Sequence, residues 1–414
     1  MKKLLLMFAA VATLFTACTE ECNHDFIEMD HSADLVGTWT CLTADYAEAL
    51  VITADGSVVS TGVEDGEFWD GVKGNIKTVN NKMTLTFEDN DNYEGRFEMI
   101  CGEAFTIFNE KGEHLTYRYC ANDLADEIVG MWVCNDAPVD TENNMGIQEF
   151  DANGIARLTG YTSQTGDFIV NSQANYKVTG DLLIQKLPEE NLIAGVSPYL
   201  VLKVVYAPNE NALGDMMIQK RYVNEGGNTV EKVSSWLRVK QSLNLEGNKY
   251  SYNKNYVTNV KGLDQEIDFL GFKFNFAEMD GVRLDKMLKT ILFEIEFPDA
   301  NTIKYSCRHS IGAQNVVAPI AVEGNKMTIK MSKVYPTAKD VDLYTFQDVD
   351  ECQLHMYLPT YSFINFFGNM QVIMMAQQGQ LDLDDTAAVK AVFDTIDSAV
   401  DTINVSFVME KAAK

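Results

Sequence analysis

Apolar and polar residues alternate along most of the chain up to about residue 240, with short polar clusters between the runs. In "RFEMI" Phe97 and Met99 share one side, and in "HLTYRYC" Leu115, Tyr117 and Tyr119 recur at every second position. That period belongs to half-buried β-strands, because successive strand side chains point to opposite faces. Turn signals punctuate the runs: Asp55-Gly56, Asn80-Asn81, Asn153-Gly154, Gly180-Asp181 and Gly324-Asn325. Asp-Gly and Asn-Gly pairs fit a type I′ hairpin turn, whose two central residues both need positive φ. A meander of hairpins without intervening helices predicts an antiparallel sheet that closes into a barrel and so removes its edges.

The pattern changes near the C-terminus. "YSFINFFGNMQVIMMAQQ" carries Phe363, Phe366, Phe367, Met370, Met374 and Met375 and predicts a helix over about 360–380. "DLDDTAAVKAVFDTIDSAVDTI" opens on the acidic cap Asp384-Asp385 and sets Val389, Val392, Phe393, Ile396, Val400 and Ile403 at helical spacing. It predicts a second helix over about 384–402. "INVSFVMEKA" returns to strand alternation, so the helices sit as an insert between strands, as a lid or plug. A methionine and phenylalanine stripe is commonly core, yet it can also mould to an apolar ligand.

The chain repeats itself. "LVGTWTC" (35–41) returns as "IVGMWVC" (128–134), "LVITADGSVVSTG" (50–62) aligns with "QEFDANGIARLTG" (148–160), and "NKMTL" (81–85) returns as "NKMTI" (325–329). Three modules follow, at about 33–122, 126–242 and 243–414. The third opens on "LEGNKYSYN", where Gly247 and Tyr250 stand in for the glycine and tryptophan. A Gly-x-Trp in a first strand followed by up-and-down hairpins resembles the lipocalin or calycin superfamily, and more closely the lipocalin-like domains of Bacteroidota-type surface lipoproteins. The resemblance implies tandem lipocalin-like barrels in which the tryptophan packs across the closed end, a structural role that falls on Gly37, Trp39, Gly130 and Trp132. An immunoglobulin-like sandwich is the rival fold.

The N-terminus "MKKLLLMFAAVATLFTAC" has two lysines, an apolar stretch too short to span a bilayer, and small residues ending on Cys18. It resembles the lipobox of bacterial lipoproteins. That resemblance implies a signal peptide over 1–18, an acylated Cys18, an acidic tether over 19–32, and an outer-membrane anchor, with "TEE" after the cysteine resembling a surface-export signal. The lipid would be the only membrane contact, since no later run has transmembrane length.

The formal charge is −27, which repels phosphate backbones and argues against nucleic acid. Of 8 cysteines, Cys101 with Cys120 and Cys307 with Cys352 are candidate bridges. The chain has no His-Glu-x-x-His, Gly-x-Ser-x-Gly or phosphate-cradling glycine loop. The histidines are His24, His31, His114, His309 and His355, none at ligand spacing, and His355 is expected at a barrel rim or in solvent. "EDNDNYEG" (88–95) fails the calcium-loop pattern and reads as a polar turn. No catalytic residue, cofactor or metal is expected.

Trp69, in the loop-like "DGEFWDG", and Trp236 read as surface aromatics able to stack on a sugar or lipid. The expectation is a lipid-anchored surface protein that captures a small apolar molecule or glycan fragment for an outer-membrane transport partner. Its candidate ligand residues are Phe363, Phe366, Phe367, Met370, Met374 and Trp69. The alternative is a protein-interaction or adhesion scaffold of solid barrels. Inward side chains separate the two, because small or polar ones leave a chamber and large apolar ones fill it.

Overall fold

The computed structural model describes residues 33–89, 92–134, 146–161, 168–189, 192, 197–207, 215–252, 259–261, 266–269, 272–275, 292–309, 312–400 and 403–412. Cys18, the signal stretch, the tether, His24 and His31 lie outside them. The fold is mainly β, three closed antiparallel eight-stranded barrels of up-and-down order with a helical insert near the C-terminus. Closure excludes the sandwich, which would leave open edges.

The first barrel runs β1 (Gly37–Leu42), β2 (Tyr46–Ile52), β3 (Ser57–Glu64), β4 (Glu67–Val79), β5 (Lys82–Phe87), β6 (Tyr93–Ile100), β7 (Ala104–Phe108) and β8 (His114–Cys120), with β8 paired back to β1. The second runs β9 (Gly130–Cys134), β10 (Ile147–Phe150), β11 (Ile155–Tyr161), β12 (Phe168–Thr179), β13 (Leu182–Lys186), β14 (Tyr199–Ala207), β15 (Met216–Glu225) and β16 (Asn228–Val239), closed by β16 on β9. The third comprises β17 (Lys249–Tyr252), then β21 (Leu292–Asp299), β22 (Thr302–His309), β23 (Gly312–Glu323), β24 (Lys326–Ile329), β25 (Val341–Gln347), β26 (Gln353–Leu358) and β27 (Asn404–Lys411). β17 pairs with both β21 and β27 and so closes it. β18 (Asn259–Lys261) adds to β27, and β19 (Glu266–Phe269) and β20 (Phe272–Asn275) form a separate hairpin. By contacts the chain divides into one unit centred on the first barrel and another that holds the other two.

The repeated Gly-x-Trp has a local cause. Trp39 Nε1 donates to the Leu35 carbonyl at 2.7 Å, and Trp132 Nε1 to the Ile128 carbonyl at 2.8 Å, each four residues back. The chain must double back before the strand starts, which glycine permits at φ +137° (Gly37) and +140° (Gly130). Both indoles are fully buried. In register, the last-strand residue facing the tryptophan covers it: Tyr119 edge-on to Trp39 at 5.2 Å, Arg238 over Trp132 at 4.7 Å. In the third barrel Tyr250 takes the buried first-strand place, its hydroxyl accepting from Gln347 Nε2 at 2.9 Å.

A Cβ at Gly37 would lie 2.5 Å from Tyr119 Cε2, whereas at Gly130 it would meet nothing within 4 Å. Gly130→Ala should therefore cost backbone strain alone, about 1–3 kcal/mol. Gly37→Ala should cost that and also lift Tyr119 off the indole. Tryptophan emission in the folded state should shift to the red for Gly37→Ala and not for Gly130→Ala, and equal spectra would refute this account.

The turns differ from expectation in one respect. At Asp55-Gly56 and Asn153-Gly154 the left-handed backbone falls on the glycine, φ +82° and +79°. Gly56 N donates to Thr53 O and Thr53 N to Ser57 O, and Gly154, Asp151 and Ile155 repeat this pattern. These are three-residue loops with glycine in the last place, and not two-residue type I′ turns. Paired positive φ occurs instead at Asn80-Asn81 (+50°, +59°), Asp65-Gly66 (+48°, +81°), Cys101-Gly102 (+47°, +72°) and Gly226-Gly227 (+57°, +79°).

The two expected helices are α1 (Thr360–Gln377) and α2 (Thr386–Ala399). Asp385 caps α2, its Oδ1 accepting from Ala387 N at 3.1 Å and Ala388 N at 3.0 Å. Phe363, Ile364 and Val372 of α1 and Val389, Val392, Phe393 and Ile396 of α2 share one core with barrel residues such as Met327, Leu354 and Met409. Among the described residues no helix is long and apolar enough to cross a membrane.

Candidate functional site

The first barrel is filled. Leu50, Ile52, Val58, Ile76, Met83, Leu85, Phe97, Phe105, Ile107 and Tyr117 form one core with Trp39. Towards the β1–β2 turn this core ends in a polar cluster that sequence reading missed. Glu48 accepts from Tyr46 Oη at 2.5 Å, from Tyr117 Oη, and from Ser60 Oγ at 2.5 Å. Trp69 Nε1 in turn donates to Ser60 Oγ at 2.6 Å. Burial and the Glu48 charge push both tyrosine hydroxyls well above their ordinary range, so they remain donors. Trp69 lies within β4 and not in a loop, and is half-buried over Gly62, where a Cβ would sit 2.4 Å from its ring. The cluster is a locked carboxylate. Among the described residues no histidine stands in it to activate Ser60.

The second barrel differs at the positions that matter. Shared hydrogen bonds fix which residues correspond. Ile76 N donates to Gly56 O as Tyr176 N does to Gly154 O, Phe97 N to Asn81 O as Val204 N to Asp181 O, and Tyr119 N to Glu103 O as Arg238 N to Asp215 O. With strand register, six inward residues of the first barrel become small or polar in the second. Leu50 becomes Gln148, Val58 Ala156, Leu85 Gln185, Phe97 Val204, Ile107 Gln219 and Leu115 Ser234.

Direct contact shows that the amides point inside. Gln219 Nε2 donates to Gln148 Oε1 at 2.7 Å, although β15 and β10 are separated by β16 and β9, so the side chains meet only across the interior. Gln185 and Gln219 are buried, Gln148 half-buried, and Leu158, paired with Gln148 and Ser172, is 38% exposed towards the mouth. Trp236 is no surface aromatic. It is buried in this core, its Nε1 donating to Ser234 Oγ at 2.9 Å, and a Cβ on Gly146 would lie 3.3 Å from its ring.

The end of the barrel around Trp132 is charged but occupied. Arg238 lies over Trp132 and Tyr206, and its Nη2 donates to the Glu127 carbonyl. Asp215 stands 3.8 Å from its Nε.

The residues singled out on α1 do not converge on one cavity. Phe363 is buried in the core and stacks on Phe367 at 5.9 Å. Phe366 and Phe367 are partly buried against that core, while Met370 and Met374 are 38% and 43% exposed.

His355 is neither rim nor solvent. It is buried on the outer face of β26, where Tyr344, Phe346 and Tyr357 pack with Val133, Ile147 and Val239 of the second barrel. Burial lowers its pKa to about 4. Nearby Asp348 is buried and bridges to Val239, and desolvation raises its pKa to about 6. Cys101, Cys120 and Cys352 are thiols, so neither candidate bridge forms. Among the described residues no group of three or more His, Cys, Asp or Glu could hold a metal.

No protein-family model matches the chain, and no curated protein matches it. Among solved structures it is similar to a double mutant of the vaccine antigen transferrin binding protein B from Haemophilus parasuis, at 11% identity and a TM-score of 0.24. The match covers 89% of this chain and 66% of that one, just under two thirds of that protein's length.

Proposed function

We propose that this chain is a non-catalytic, surface-displayed binding protein that captures a small uncharged molecule inside its second barrel. Acylation at Cys18 would tether it to the outer membrane, where it could pass the ligand to a transport partner. The observation that carries the reading is the replacement, at six corresponding inward positions, of a filled apolar core by Gln148, Ala156, Gln185, Val204, Gln219 and Ser234. An eight-stranded barrel is just wide enough to be filled by side chains or to hold one small ligand, so such changes favour room for a small guest beside the glutamines. Phe150, Tyr176 and Trp236, larger than the corresponding Ile52, Ile76 and Tyr117, keep the rest of the interior filled. A protein-interaction surface is the second reading, favoured by the exposed Met370 and Met374 beside Phe366 on α1.

The test is native mass spectrometry of the full chain offered pooled fatty acids, bile acids, porphyrins, cobamides and oligosaccharides. A retained adduct is expected. It should vanish when that room is refilled with first-barrel residues in the double variant Ala156→Val and Ser234→Leu. An adduct that survives refilling would move the site elsewhere, and none across all pools would leave the protein-interaction reading.

A further inference from the structure

Resting on that reading of the second barrel, we infer that its ligand is a neutral polyhydroxylated molecule, a sugar or short glycan, recognised by the amides of Gln148, Gln185 and Gln219. An amide offers both a carbonyl acceptor and an NH2 donor, and a sugar hydroxyl likewise donates and accepts. Gln219 and Gln148 spend one donor and one acceptor on each other, which leaves the Gln219 carbonyl and the Gln148 NH2 for a guest. Gln185, on β13, brings a third amide inside the same barrel. An apolar guest would bury these groups against carbon and forfeit their hydrogen bonds. Sites built to bond hydroxyls reject analogues that lack them for that reason.

Charge points the same way. Around Gln148, Gln185 and Gln219 the described inward positions that are buried or half-buried, among them Ser172, Ala174 and Ser234, carry no carboxylate or ammonium. Arg238 at the Trp132 end is already engaged with two rings and a carbonyl. Arg221 and Lys232, in register with each other, are exposed beyond Gln219. Among the described residues an anionic guest would find cations only at the exposed Arg221 and Lys232, one inward step outside Gln219 and Ser234, and none at the amides themselves. Leu158, 38% exposed, supplies apolar surface for the C–H face of a sugar ring.

Saturation-transfer NMR detects weak binding and tests the class directly. The full chain is offered glucose, galactose, maltose, cellobiose and chitobiose, and separately palmitate and retinol. Transfer to at least one saccharide is expected, at least tenfold weakened by Gln219→Ile, the side chain that the first barrel accepts at Ile107 and so a substitution the architecture tolerates. An unchanged melting temperature for that variant separates lost recognition from lost folding. If only palmitate or retinol binds, and Gln219→Ile tightens it, the sugar assignment is overturned while the second-barrel site stands. If nothing binds, both readings fall.

Discussion

Replacing Trp39 with alanine should lower the melting transition of the first barrel by roughly 12 °C or more and leave the transition of the other unit in place. Trp39 is fully buried, 5.0 Å from Phe105 and 5.2 Å from Tyr119 by ring centroids, at the end of a core with no other indole. Truncating such a side chain costs about 3–5 kcal/mol, and each kcal/mol moves the midpoint of a domain this size by about 4–8 °C. The selectivity follows from the division of the chain, because the first barrel has its own core and should melt as its own cooperative unit. Trp39→Phe separates packing from hydrogen bonding. It keeps a ring but leaves the buried Leu35 carbonyl without the indole donor, a loss of about 1–3 kcal/mol. Calorimetry of the three proteins decides the matter, and two transitions falling together in Trp39→Ala would rule out independent folding.

The parts of this molecule that are local in sequence were legible there. Gly37 and Trp39 could be read because the carbonyl that the indole needs lies only four residues away, so the device recurs whole at Gly130 and Trp132. The helices were legible from spacing and from the Asp385 cap. Turn type was not, since Asp-Gly suits both a type I′ turn and the last two places of a three-residue loop, and only strand register separates them. Trp69 was misplaced because the glycine and aspartate around it mark a loop, whereas here they sit within the long strand β4.

The polar interior of the second barrel was hidden for a different reason. The alignment of "LVIT" with "QEFD" already set Leu50 against Gln148, but alternation alone does not say which face is inside. The decisive contact joins Gln148 to a residue 71 positions away. His355 was misjudged in the same way, since the surface that buries it belongs to another barrel.

That junction should give acid sensitivity that appears only when one of its two titrating groups is removed. Asp348 has its pKa raised to about 6 from 3.8 by desolvation, opposed by the Gln353 and Cys352 amides and by Lys240, with Asp350 adding to the rise. Its Oδ1 accepts from Gln353 N at 2.7 Å, and its buried Oδ2 has no partner among the described residues. A raised carboxyl contributes stability that is complete below pH 3.8 and is lost as pH rises through about 6. His355, lowered by burial to about 4 from 6.5 and 3.3 Å from Gln353 Oε1, contributes stability that is complete above 6.5 and is lost as pH falls towards 4. Glu351, bonded to Lys240 and Asn244 and facing Lys411, is held at about 2 and begins to lose its contribution only below 4.5. Between pH 7 and 4.5 the two buried groups therefore oppose each other, each by roughly 2–3 kcal/mol at 1.36 kcal/mol per pKa unit. Denaturant unfolding of the full chain across that range should show Asp348→Asn losing stability on acidification relative to wild type and His355→Gln gaining it. Three parallel pH profiles would mean that neither group titrates at the junction.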